Sequence, residues 1–394
     1  MGVDSRTWAE INLDALENNI KNIRKITNPS AKIIAVVKAD AYGHGAEVCA
    51  EVLLANGADM LAVACPEEAY VLREKFPEVD ILLLGTSYKD EYEEIIKQNI
   101  TPSVSSLEEA VFLDEEAKKL SQTAKIHIKV DSGMGRLGFL SYNSSSDKTI
   151  NTIKKINSLK NIEIEGVFTH FSCADEASDY TKWQFKNFKS LCDGLKNEGI
   201  NIKLRHCANS ATIYRYPEFH LDAVRPGIIL YGYHPSSLEK EKLSLSPVMS
   251  IKSRITHVKE LFCGSFISYG NEYETSSTEK IATVPVGYAD GFIRANKNKA
   301  QFIFNGNKFP VVGRICMDQC MIDVTSVNNI NAGDIITVMG SEGDAHITAD
   351  DLAENVGTIS YEILCIVSKR LQRVYLKNGK CASIMKTGNK LLLT

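Results

Sequence analysis

A lysine closes a stretch that otherwise has the pattern of a buried strand. In "KIIAVVKADAYGHG", residues 32–45, Ile33 to Val37 form a short apolar run rich in β-branched residues, as in a strand covered on both faces, and Lys38 comes directly after it. An isolated lysine at such a tip is ordinarily a snorkelling side chain, with its stem on the sheet and its ammonium in water. The residues after it point elsewhere. Two glycines, Tyr42 and His44 precede a helical pattern over Ala46 to Leu54, and strand-to-helix turns are where α/β proteins keep their chemistry. The last residue or two of the other strand patterns are polar as well: Lys129 and Asp131 before "SGMGR", His170, His206 before "ANSA", and Arg225 before "PGI". Taken singly, each has a structural reading, as a core imidazole, a salt-bridge partner or, for Asn209-Ser210, a helix cap. Together they collect amines, imidazoles and a guanidinium at one set of strand ends.

Those strand ends belong to a regular alternation. Strand patterns recur at "KIIAVVK", "MLAVA", "DILLLG", "TPSVS", "KIHIKVD", "IEGVFTH", "KLRHC" and "DAVRPGIIL", separated by helical patterns such as "SLEEAVFLDEEAKKL" and "DYTKWQFKNFKSLCDGLKNEG", the latter capped at Gly199. Eight alternations over roughly 200 residues predict a (β/α)8 barrel, whose site lies at the carboxyl ends of the strands. An open doubly wound sheet is the runner-up and explains the count less well. Past the charged stretch "GYHPSSLEKEKLSLSP" the texture changes. "MSIKSRITHVKEL", "KIATVPVGY", "AQFIFNGNKFPVVGRICM" and "GDIITVMG" predict a mainly β domain, with a hairpin at Asn305-Gly306 and helical segments near 348–373. The expected division is a barrel over 1–240 and a β domain over 241–394, with residues 1–13 as candidates to pack with the second domain.

Composition narrows the function classes. The chain has 394 residues, 44% of them apolar, and a net charge of -4, so neither nucleic acid nor an anionic membrane is expected as a partner. The N-terminal stretch lacks a signal-peptide core and no apolar run is long enough to span a bilayer, which predicts a soluble cytoplasmic protein. Ten cysteines lie scattered without a CxxC pair, many in apolar segments, the usage of a reduced compartment. "CMDQC" at 316–320 has no accompanying histidine pair, and no metal is expected. The final two barrel strand ends do suggest an anion site. Ser210 opens a short helix and Gly227 lets backbone N–H groups approach a ligand, as in barrels that bind phosphate after strands seven and eight. A reactive lysine facing a phosphate cup suits a phosphorylated aldehyde held as a Schiff base, pyridoxal 5'-phosphate (PLP).

Nine segments, in order and over nearly the whole chain, carry a resemblance: "AVVKADAYGHG", "HIKVDSGMGRLGF", "GVFTHFSCAD", "ANSA", "VRPGIILYG", "SYGNEY", "VPVGYADG", "GRICMDQ" and "ISYEIL". The sequence resembles the bacterial alanine racemases. Asp40 stands where that family commonly has asparagine, Ser132 where it has threonine, and "NEY" after Tyr269-Gly270 is locally variable. The resemblance implies a PLP-dependent barrel enzyme with a C-terminal β domain, a head-to-tail homodimer with shared active sites, interconverting L- and D-alanine for peptidoglycan.

By that resemblance, Lys38 is the Schiff-base lysine and the base for one face of the substrate, and Tyr269 is the base for the other. Tyr42, Ser210, Gly227, Ile228 and Tyr361 hold the phosphate, beside Asn209, and His170 lies against the cofactor ring. Arg225 faces the ring nitrogen, where an arginine cannot accept a proton and so weakens the electron sink, favouring racemisation over transamination. His206 orients Arg225. Arg136 and the backbone of Met317 take the substrate carboxylate, Lys129 is a candidate for carbamylation, Tyr288 and Tyr361 narrow the entrance, and Asp318 lies near the pocket. His170 and Arg225 are the cations expected to favour the anion of Tyr269. Three rivals remain: a racemase of broader specificity, including serine; a decarboxylase of the same fold group, which would need an acid at the ring nitrogen; and a PLP-binding carrier without turnover.

Overall fold

A computed structural model describes residues 5–386 and 389–392, so residues 1–4 of the candidate N-terminal segment lie outside the described residues. The chain folds as two compact units. One comprises residues 16–41 and 46–246, and the other residues 1–15, 42–45 and 247–394.

In the second of these, strand β1 (Thr7–Asn12) is interior to a long sheet. It pairs antiparallel with Met249–Arg254 and parallel with Gln372–Lys377, placing Ile11 opposite both Met249 and Tyr375. The segment at 6–13 therefore belongs to the mainly β unit. Asn305 and Gly306, with φ of 48° and 73°, turn the chain between Gln301–Phe304 and Asn307–Val312, the left-handed pair that a two-residue hairpin requires. The stretch 249–261 is two strands, Met249–Arg254 and His257–Leu261, because Ile255 and Thr256 bond away to Asp334 and Thr283.

The other unit is the barrel. Its strands are β2 (Lys32–Val36), β3 (Met60–Val63), β4 (Ile81–Leu83), β5 (Ser103–Val104), β6 (Ala124–Asp131), β7 (Phe139–Leu140), β8 (Ile162–Phe168), β9 (Leu204–Ala208) and β10 (Ala223–Val224). Eight of them pair in parallel in the order β4-β3-β2-β10-β9-β8-β6-β5, with β7 attached to β6 outside the ring. A parallel bridge at Leu82 and Thr101 brings β4 and β5 together: the Thr101 N–H donates to Ile81 at 2.9 Å and the Leu83 N–H to Thr101 at 2.9 Å. All eight predicted barrel strands are present. The helix over Leu107–Leu120 starts where Ser106 Oγ accepts the Glu109 N–H, and Ala110, Leu113 and Ala117 line its buried face.

The eighth strand departs from expectation. The regular strand in "DAVRPGIIL" is Ala223–Val224; the Arg225 N–H still donates to Ala208 at 2.9 Å and the Pro226 carbonyl accepts the Val36 N–H at 3.0 Å, but Pro226 has no N–H of its own to donate and Ile228–Tyr231 is a 3-10 turn. The strand stops at Val224, so Arg225 and Gly227 lie just beyond it. Among the described residues no helix is long and apolar enough to cross a membrane.

Candidate active site

The chain leaves β2 through Val37, whose N–H donates to Ala62 at 2.9 Å, and delivers Lys38 at the strand's carboxyl end. The next four residues form a left-handed turn: Ala39, Asp40, Ala41 and Tyr42 have φ of 51° to 54°, with no glycine among them. Each such residue costs about 1–2 kcal/mol, so the turn needs bracing. Glu68 supplies part of it. One of its oxygens accepts the Ala39 N–H at 2.6 Å and the other the Ala64 N–H at 2.8 Å, while Asp40 accepts the Ala46 N–H at 2.8 Å and ties the turn to the next helix.

On β6, His127, Lys129 and Asp131 alternate by two and share one strand face. The Asp131 carboxylate is engaged by backbone. It accepts the N–H groups of Gly133, Met134 and Gly135 at 2.8 to 3.2 Å, shaping the loop that carries Arg136. Lys129 is buried, its Nζ 4.2 Å from the centre of the Phe168 ring. Burial, then the charges of Arg225 and Arg136, holds its amine well below the usual lysine range. His170 is likewise held far below the usual imidazole range by burial, then by Arg225, Lys129, Arg136 and Lys38.

Arg225 is fixed on several sides. Its Nη1 donates to His206 Nδ1 at 2.8 Å, and its Nη2 donates to the carbonyls of Thr169 at 2.7 Å and Cys207 at 3.3 Å. Burial pulls its pKa down to about 10, which still leaves it charged at neutral pH. His206 is held neutral by burial and by Arg225, and it stacks on Phe168 with centroids 4.9 Å apart. Asn209 caps the helix Ser210–Arg215, accepting the Thr212 N–H at 3.2 Å, and Ser210 Oγ accepts the Gly227 N–H at 2.9 Å. Ile228 opens the following 3-10 turn.

This barrel end gathers Lys38, Lys129, Arg136 and Arg225 near one another, while its carboxylate Asp131 is bound to backbone N–H groups. Such an arrangement has more basic groups than carboxylates. A cofactor bearing a phosphate and a substrate bearing a carboxylate fit that donor set, and the paired Ser210 hydroxyl and Gly227 N–H suit the phosphate.

The other unit holds the remaining candidates. Tyr269 stands 68% exposed on a short turn. Ser268 (φ 68°) donates through Oγ to the Arg314 carbonyl at 2.6 Å, and a Cβ on Gly270 (φ 75°) would sit 2.7 Å from the Arg314 guanidinium. Glu272, pushed down to about 2 by Arg314 and then Lys297, joins both cations at 2.5 and 2.6 Å. Tyr269 lines a cavity of about 430 Å³ with Phe266, Cys316, Gln319 and Met321. Met317 is 54% exposed, and its carbonyl accepts the Ala289 N–H at 3.0 Å. A Cβ on Gly287 would fall 2.3 Å from that carbonyl, so glycine lets the "VGYADG" and "CMDQ" loops meet and places Tyr288 beside Met317. Asp318 pairs with Arg370 at 2.8 Å. Tyr42 and Tyr361 lie with ring centroids 6.0 Å apart, and burial, then Cys365, pushes the Tyr42 phenol up.

Sequence reading passed over three residues. Glu68 is one, on a helix and without a motif. The others are His127 and Glu165, linked at 3.3 Å within the barrel. The signal for His127 was available in the period of two that puts it on the Lys129 face.

Comparisons with known proteins converge. Residues 11–235 match the family model "Alanine racemase, N-terminal domain", and residues 248–375 match "Alanine racemase, C-terminal domain". An alanine racemase of Methanococcus maripaludis is 50% identical over 371 residues, covering 94% of this chain and 98% of that protein. Among solved structures, the alanine racemase of Clostridium difficile 630 superposes with a TM-score of 0.94 at 42% identity, covering 98% of this chain and 100% of that one. The alanine racemase of Bartonella henselae, solved with covalently bound pyridoxal phosphate, gives 0.84 at 28% identity, covering 94% of this chain and all of the other.

Proposed function

We infer that this chain, which belongs to the alanine racemase family, interconverts L- and D-alanine with pyridoxal 5'-phosphate and supplies D-alanine for peptidoglycan in the cytoplasm. The observation that carries the reading is the basic end of the barrel, where the amines of Lys38 and Lys129, Arg136 and the donor-only Arg225 converge. When bound, the cofactor withdraws electrons from the substrate's Cα and makes its proton removable.

Lys38 would hold the cofactor through Nζ, and Ser210, Gly227 and Ile228 would hold its phosphate, with Tyr42 and Tyr361 as further hydroxyls. His170 would lie against the ring. Arg225, held by His206, would offer only N–H donors to the ring nitrogen and could accept no proton from it. That limits the electron sink and favours prompt return of the proton to Cα. A decarboxylase needs an acid at this place, and Arg225 is not one. Lys38 Nζ exchanges the Cα proton on one face and the Tyr269 hydroxyl on the opposite face.

Arg136 and the Met317 backbone orient the substrate carboxylate, Tyr288 and Tyr361 narrow the entrance, and Asp318 supports that region through Arg370. Lys129, held as a neutral amine, is in the form that adds carbon dioxide, and the carbamate anion so formed would balance Arg136 and Arg225. The exposed Tyr269 turn supports a head-to-tail homodimer in which it completes the partner subunit's site.

The test is polarimetry on a panel of L-amino acids with added PLP. L-alanine should lose its rotation completely, ending as equal amounts of both enantiomers. Faster loss with L-serine would make this a racemase of broader specificity, and conversion to pyruvate without D-alanine would overturn the reading.

A further inference from the structure

Arg225 sits at one end of a buried hydrogen-bond chain that runs on beyond His206. His206 Nε2 lies 2.9 Å from His127 Nδ1, and His127 Nε2 lies 3.3 Å from Glu165 Oε2. Glu165 in turn has Lys125 at 3.7 Å. The polarity of the chain is set by its ends. A guanidinium only donates, so His206 Nδ1 accepts, His206 Nε2 carries the proton and donates to His127 Nδ1, and His127 Nε2–H donates to Glu165. An ionised carboxylate only accepts, so the far end demands the same direction. Both rings are neutral Nε2–H tautomers, and neither can reverse without the other.

The barrel is also shaped to admit this chain. Gly166, next to Glu165, pairs with His127 across β6 and β8, and a Cβ there would fall 2.5 to 2.7 Å from three atoms of the His127 ring. Gly166 clears the slot in which the ring lies. The electrostatics agree with the geometry: the His127 hydrogen bond is the main cause that lowers Glu165, and burial holds His127 below the usual imidazole range.

We propose that Glu165 and His127 are positioning residues for Arg225, fixing through His206 the direction of a hydrogen-bond chain so that a bare ring nitrogen always faces the guanidinium. This rests on Arg225 being the cofactor-ring partner. The consequence is control at a distance over reaction choice. A protonated His206, or one with hydrogen on Nδ1, would repel Arg225 and loosen its hold on the cofactor ring nitrogen.

The experiment is ¹⁵N NMR of the histidine rings in the PLP-loaded enzyme and the cofactor-free protein, with pyruvate formed per racemisation measured alongside. In the natural sequence His127 and His206 should each show a bare Nδ1 and a protonated Nε2 in both states. Glu165→Leu should put His206 into mixed tautomers, lower kcat on the order of tenfold at unchanged KM for alanine, and raise the pyruvate ratio. Glu165→Gln, which keeps an acceptor oxygen, should recover most of the loss. Gly166→Ala should disturb the same signals by displacing the ring. A proton on Nδ1 of His206 in the unsubstituted protein overturns the proposal without any variant having to fold. So does a folded Glu165→Leu protein with unchanged His206 signals and pyruvate ratio. The ring signals of the cofactor-free protein do not depend on the racemase reading, so failure of that reading leaves them as predicted.

Discussion

The barrel end and the Tyr269 turn are built on opposite plans. At the barrel end Lys129, His206 and Arg225 are buried, and Arg225 is tied to two carbonyls and an imidazole. The Tyr269 turn is open to solvent, spends three positive-φ residues at 268, 270 and 271, and is steadied by the exposed pairs that Glu272 makes with Arg314 and Lys297. Exposed pairs of this kind contribute little stability. The first region holds its groups in place by itself, whereas the second presents an exposed phenol. That contrast is what a site completed by a second subunit would produce.

Breaking either plan at its proposed base should have the largest effect. Lys38→Ala removes both the cofactor attachment and one base, and racemisation should fall by more than about 10⁴-fold. Tyr269→Phe removes one base only and should cost about 10²- to 10⁴-fold in both directions, since every turnover uses both faces. Steady-state rates from each enantiomer check this. A Tyr269→Phe enzyme within a few-fold of the original would remove the turn from the chemistry.

A smaller effect is expected at Arg136, on its loop moulded by Asp131. Arg136→Ala loses a fork that pairs with a carboxylate, so KM for alanine should rise roughly 10- to 100-fold while the cofactor remains bound. An unchanged KM would mean that the substrate carboxylate goes elsewhere.

The smallest effect sharpens the contrast through pH. His127, His170 and His206 are all held below 6.5 in the folded barrel. The unfolded chain takes up protons near 6.5 that the native rings refuse, so their contribution is complete above that pH and is lost as pH falls toward the folded values. Each ring adds a slope of at most about 1.4 kcal/mol per pH unit in that window. Urea unfolding between pH 7.5 and 5 should show stability falling, and His127→Gln should flatten the fall. Stability independent of pH there would contradict the neutral-imidazole account.

Much of this was legible in the sequence, for physical reasons. The parallel strands were readable from apolar runs such as Ile33–Val37 and Ile81–Leu84 and from their regular alternation with helical patterns, and the polar residues at the strand ends stood out against them. Other features had no local signal. The left-handed turn at Ala39–Tyr42 contains no glycine and persists through bonds such as those from Glu68, which belongs to another helix. The link from Arg225 to Glu165 spans residues 60 positions apart through two histidines on different strands, and only the closed sheet aligns them. The lowered basicity of His170 has no local signal either, because burial and then the charges of Arg225, Lys129, Arg136 and Lys38 combine to produce it.

Mixing Lys38→Ala and Tyr269→Phe proteins under conditions that exchange subunits tests the contrast most directly. Each is nearly inactive alone. In the heterodimer of a shared-site enzyme, one site combines the intact Lys38 of one chain with the intact Tyr269 of the other, and the second site lacks both. Activity should return toward one competent site per heterodimer. Subunit exchange verified by mass spectrometry with no return of activity would contradict the account, because each chain would then supply both bases to its own site.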